Sequence, residues 1–196
     1  MKNSFCLLIL MVTFSYSNAP VIQSPKHQDL YKIIKNYKKY KQMCDLTFSG
    51  MHWNHNVVIY LNKGSEDYIH NFSVIEFLSD EELAEDFEEE HGEEALQKAL
   101  IFRKYPVGTI MIKEHYLTND SSKSPISYAI MIKREKGFNQ NSNDWEYAWV
   151  AKDNSILLRG VDDSKVVKNT CHNCHYSVKE RDFIFGTALK DNFIKK

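Results

Sequence analysis

Between residues 29 and 40 the apolar positions Leu30, Ile33, Ile34, Tyr37 and Tyr40 recur at helical spacing, with lysines between them. This predicts an amphipathic helix over 29–40 with a basic, solvated outer face. The β-branched and aromatic run Val57-Val58-Ile59-Tyr60-Leu61, closed by Asn62-Lys63-Gly64, predicts a strand and a turn. A second helix is expected from Ser79, with Glu82 three residues on completing a capping box. Gly92 breaks or bends it, and the helical pattern resumes over 94–102. After Pro106-Val107-Gly108, apolar runs at 109–116, 126–133, 145–151 and 156–158 are separated by short polar loops. Four strands so connected read as an antiparallel meander. The fold class expected is α+β and β-rich: a curved antiparallel sheet flanked by helices. The quartet Ile-Met-Ile-Lys occurs at 110–113 and again at 130–133, too short to count as a repeat.

The chain has 196 residues, enough for one domain with a proper core. Its 25 Lys+Arg stand against 26 Asp+Glu, which excludes a generally basic nucleic-acid binder. That balance conceals two opposed clusters. Six lysines fall between Lys26 and Lys41, and ten acids between Asp80 and Glu94. The acidic segment 80–94 reads as a solvated helical insertion, and the opposed clusters as a dipolar surface able to orient a redox partner. Residues 1–19 carry Lys2, a short apolar run over 5–12 and small residues at Ser15, Ser17 and Ala19. This is the pattern of an export signal, leaving 20–196 as a single domain outside the cytoplasm, in the periplasm. An uncleaved anchor is the alternative for the same segment. The remaining cysteines, Cys44, Cys171 and Cys174, are odd in number, so disulfide pairing cannot account for all three.

Cys171-His172-Asn173-Cys174-His175 is C-x-x-C-H, the attachment signature of c-type haem. Two thiols one helical turn apart suit thioether bonds to the two vinyl groups, and His175 follows as the axial ligand of the iron. A thioredoxin-like pair would need a βαβ setting, whereas this motif lies past the last expected strand. A zinc site would need two further ligands, for which only Cys44 and a stray histidine stand ready. Only 21 residues follow His175, and none is Met. A sixth iron ligand from the tail is therefore unavailable, and the iron is expected to have an open distal face suited to small ligands.

The chain resembles the cytochrome P-460 family, which includes the cytochromes c′-β. The resemblance runs from about residue 51 to 187 and rests on 58–62, on Pro106-Val107-Gly108-Thr109-Ile110-Met111-Ile112-Lys113-Glu114, on 145–150, on Cys171 to His175 and on Asp182-Phe183-Ile184-Phe185. It implies a β-rich, dimer-forming domain with one covalent haem c attached through Cys171, Cys174 and His175. In catalytic members the lysine matching Lys113 is bonded to a haem meso carbon, and those members oxidise hydroxylamine or process nitric oxide. Members without the cross-link bind diatomic gases. Strand parity places Lys113 on one face with Met111 and His115, opposite Ile110, Ile112 and Glu114.

The chain departs from that pattern on the distal side. Catalytic members carry an arginine where this sequence has Val57. His55, on the same strand face, is the expected distal base or hydrogen-bond donor; His115 is a further distal candidate, and His52 ranks behind His55. The leading expectation is thus an exported mono-haem protein that binds or converts small nitrogen oxides, served by a redox partner. The alternatives are a gas-binding or electron-transfer cytochrome without a lysine link, and a zinc- or disulfide-stabilised binding module without haem.

Overall fold

The structure, a computed structural model, describes residues 27–52, 54–120 and 122–193. The expected export signal over 1–19 lies outside the described residues. Among those described, no helix is long and apolar enough to cross a membrane.

The alternation of apolar side chains builds a seven-stranded antiparallel sheet. Its strands are β1 (Lys41–Gln42), β2 (Thr47–Ser49), β3 (His55–Leu61), β4 (Ile110–Tyr116), β5 (Ser127–Lys133), β6 (Trp145–Ala151) and β7 (Ile156–Gly160). The order is β1-β3-β4-β5-β6-β7, with β2 pairing along β3 beyond β1. β4 to β7 form the expected meander, and β3 joins its free edge through β4. The two Ile-Met-Ile-Lys quartets lie side by side: Met111 faces Met131, and Ile112 faces Ile130. Their likeness follows from one role, neighbouring antiparallel strands that show methionine to one face and isoleucine to the other.

Each face has its own core. On one, α1 (Gln28–Asn36) lays Leu30 and Ile33 against Val58, Ile112, Ile130 and Val150, with Tyr37 in the short 3-10 turn that follows. Glu114 is wholly buried here, accepting hydrogen bonds from Tyr37 and from Tyr116 (2.9 Å). Lys38 Nζ reaches the same carboxylate at 2.6 Å. The basic face is solvated as expected, Lys32, Lys35, Lys38, Lys39 and Lys41 all being exposed, and Lys38 reaches the buried carboxylate from the solvent side. α1 is further clasped by Asp29, which accepts from Arg159 at 2.8 and 2.6 Å. Arg159 in turn holds the buried Glu146 at 2.7 Å.

The other face packs Ile59, Met111, Met131, Trp145 and Tyr147 against α2 (Ser65–Ser79) and the C-terminal segment. α2 was not foreseen. It runs through Ser79, so the expected capping box is replaced: Ser79 Oγ bonds back to Ile75 O, and Asp80 caps α3 (Glu81–His91) by accepting from Leu83 N. Gly92 ends α3 with φ +87°, and α4 (Glu93–Ala99) stops short of the expected 102. α3 buries no residue, as a solvated acidic helix should. Cys44 is buried in the core on the α2 side of the sheet, and burial pushes its thiol up to about 11.

Candidate functional site

The C-x-x-C-H segment lies on a short helical run after β7. α5 (Lys165–Val167) passes through a π turn over Lys168–His172 into α6 (Asn173–Tyr176). Residues three and four apart on such a run share a face. Cys171, Cys174 and His175 accordingly line one cavity, of about 210 Å³. The three cysteines among the described residues, Cys44, Cys171 and Cys174, are free thiols. After α6 the chain doubles back through Asp182 and Phe183, whose φ values are +52° and +65°. This turn presents Phe183 O to His175 Nδ1 at 2.6 Å. A carbonyl can only accept, so Nδ1 carries the proton and Nε2 keeps its lone pair, the state of a metal-ligating imidazole with its second ring nitrogen anchored.

The opposite wall is the sheet. Lys113, Met111, Met131 and Trp149 line the same cavity, so the structure brings Lys113 together with Cys171, Cys174 and His175. Parity accounts for this, since Lys113 pairs with Ile59 on one side and Ala129 on the other and all three face inward. The lining is largely aliphatic and aromatic, as a flat apolar macrocycle would require. Tyr147 Oη is buried beside it without a hydrogen-bond partner among the described residues. A buried phenol left in that state is costly, and an acceptor on a group held in the cavity would satisfy it. Two thiols, an oriented imidazole and an unsatisfied donor around one apolar cavity fit a covalently held haem.

Burial sets the charge states here. It lowers Lys113 to about 8, and neighbouring thiols oppose that shift only in part. It lowers His175 to about 4 and His115 to about 3, and carries His52 further down. At neutral pH these imidazoles are uncharged, and Lys113, lowered to about 8, is about one-tenth neutral, a fraction able to act as a nucleophile. Cys171 is pushed up to about 11 by the same burial.

On the distal side the order expected from parity is reversed. His52 lines the cavity, whereas His55 and His115 do not. His52 and Asn54 both have left-handed backbones, with φ +56° and +57°. That turn sets His52, three residues before β3, at the cavity, out of reach of any strand-parity rule. His115 is fully buried and serves His52 instead: His115 Nε2 and His52 Nδ1 are 3.0 Å apart, and His115 Nδ1 is 2.9 Å from Ser127 Oγ. His55 Nδ1 donates to His52 O at 3.0 Å, bracing the turn. Val57 is buried and pairs with His115. Among the described residues, no group of three or more His, Cys, Asp or Glu is placed to hold a metal ion.

Compared with known proteins, the chain matches the family model described as Cytochrome P460 over residues 35–186. No curated protein matches it significantly.

Proposed function

Since the chain belongs to the cytochrome P460 family, we propose that it is an exported protein carrying one covalent haem c and handling small nitrogen compounds at the iron. The observation that carries this reading is the convergence of Cys171, Cys174, His175 and Lys113 on one apolar cavity. Cys171 and Cys174 supply the thioether sulfurs, and His175 the axial nitrogen, oriented by Phe183 O. Bound there, haem supplies an iron that takes up nitric oxide or hydroxylamine and exchanges electrons with them. The apolar walls exclude water from that face, and Lys113 stands at the cavity with an amine that is partly neutral near pH 8. The leader-like residues 1–19 support delivery outside the cytoplasm, where such haem is attached. A homodimer and a redox partner protein complete the reading, the latter oriented by the opposed basic and acidic clusters.

Expression of the full chain with haem-maturation machinery tests the proposal. Haem absorbance should survive denaturation and solvent extraction, and nitric oxide should shift the Soret band of the reduced protein. Loss of all haem on extraction would overturn the covalent reading. A haem peptide map then separates the two forms: Lys113 in the haem peptide marks a linked, catalytic type, and Lys113 in a free peptide marks a gas-binding type.

A further inference from the structure

We propose that His52 is a built-in sixth ligand, so that the resting haem iron is held between His175 and His52 and a small ligand must displace His52 to bind. This inference rests on the haem reading above and deepens it at the same site.

Three observations carry it. First, His52 and His175 line the same cavity, and their ring centroids are 6.2 Å apart. An imidazole nitrogen sits about 2 Å from a metal it binds, and its ring centre roughly 1 Å behind, so two rings on opposite sides of one metal stand about 6 Å apart. A histidine that merely donates a hydrogen bond to a small molecule lying between it and the metal would stand farther off, since a hydrogen bond of about 2.8 Å is added to the span. The observed separation fits direct ligation and leaves no room for the intervening molecule.

Second, the two histidines are anchored alike. His175 has Nδ1 fixed by Phe183 O, and His52 has Nδ1 beside His115 Nε2 at 3.0 Å. In each ring Nε2 is thus the nitrogen that addresses the cavity, and a partner on the remote nitrogen is the usual support of a ligating imidazole. Third, that support is itself fixed. His115 Nδ1 can donate to Ser127 Oγ at 2.9 Å, which leaves Nε2 to accept from His52 Nδ1–H. The chain Ser127–His115–His52 therefore sets one tautomer along its length and leaves the Nε2 lone pair of His52 directed away from His115. His115 is a positioning residue in this arrangement, not a ligand.

The test uses the full chain loaded with haem by maturation machinery, read by absorption and electron paramagnetic resonance. Wild type is expected to be six-coordinate and low-spin in both oxidation states. His52→Ala should turn high-spin, and added imidazole should restore the low-spin spectrum. Phe48→Ala, which removes an exposed ring on β2 beside the start of β3, should stay low-spin and so controls for general damage to this end of the sheet. His115→Ala should give a mixture of spin states, because His52 keeps its place but loses its anchor. Carbon monoxide affinity of the reduced protein should rise at least about tenfold in His52→Ala, since the competing internal ligand is gone. A wild type that is high-spin, or a low-spin spectrum unchanged by His52→Ala, would overturn the inference while leaving covalent haem intact. Absence of covalent haem would instead remove the functional reading beneath it.

Discussion

Lys133 and Asp182 form a buried ion pair, Nζ lying 2.7 and 2.9 Å from the two carboxylate oxygens, with side-chain exposures of 7% and 0%. The pair ties the end of β5 to the turn that follows the C-x-x-C-H segment. Asp182 also accepts from Tyr105 N at 2.8 Å, and its carbonyl accepts from Trp145 Nε1 at 2.8 Å. The next residue is Phe183, whose carbonyl fixes His175. Asp182 thus connects the sheet to the orientation of His175 through one peptide unit.

Removing one partner of such a pair strands the other charge in the interior, a loss of about 3–5 kcal/mol. Asp182→Ala is therefore expected to lower stability by that amount in urea unfolding and to reduce haem incorporation with it. The double variant Asp182→Asn with Lys133→Met should recover much of the stability, because no buried charge remains while the side chain keeps an acceptor for Tyr105 N and tolerates the left-handed backbone. Equal stabilities for the single and double variants would refute this account.

Asp29 and Arg159 fasten α1 to β7, and the Arg159 guanidinium holds the Asp29 carboxyl well below the usual carboxylate range. A carboxylate lowered in this way stabilises the fold fully above its ordinary value of 3.8, and the contribution is lost as pH falls below that. Because the Asp29 side chain is 45% exposed, solvent screens the pair, and Asp29→Asn should cost no more than about 1 kcal/mol at neutral pH. The gap between wild type and variant should narrow from pH 5 toward pH 2 in parallel urea titrations. A gap that stays constant with pH would assign the loss to something other than charge.

The sheet was legible because its strands alternate cleanly. Trp145, Tyr147 and Trp149 turn toward the cavity side, and Glu146, Ala148 and Val150 toward α1. Parity set Lys113 on the face of Met111, the family resemblance turned that face toward the haem, and the spacing of Cys171, Cys174 and His175 is a local property that needs no tertiary context. α2 was not legible. Its apolar residues Tyr68, Ile69, Phe72, Val74, Ile75, Phe77 and Leu78 surround the helix axis and leave no stripe for a period to detect. β1 and β2, of two and three residues, are too short to show any alternation. His52 ranked behind His55 for a different reason: its position depends on a left-handed turn, to which neither helical nor strand periodicity applies. Lys133 and Asp182 are 49 residues apart, and no local pattern links them.

Cys171 and Cys174 are not equivalent in the fold: Cys171 is partly buried against the core, whereas Cys174 is exposed. Double replacement by alanine should abolish haem staining on a denaturing gel, since no thioether can form. Either single variant should retain stainable haem at lower yield, with Cys171→Ala the more damaging because it also opens a gap beside Tyr147 and Val167. Stainable haem in the double variant would show attachment through some other residue.

Lys113 carries the most direct pH signature. Burial holds its amine near 8 in the fold, against 10.5 for a free lysine. Between those values the unfolded chain binds a proton that the folded chain does not, so this residue's contribution to stability rises with pH through the window. Below about 8 the folded protein must bury a charged amine, at a cost of about 3 kcal/mol at most. Lys113→Met, similar in volume and uncharged, should therefore stabilise the chain at pH 7, and its advantage should disappear by pH 10.5. Comparing the two proteins in urea at pH 7, 9 and 10.5 cancels the tyrosines and thiols common to both. A difference that does not change with pH would show that the Lys113 amine reaches solvent and is not the partly neutral group that a reaction at the haem edge requires.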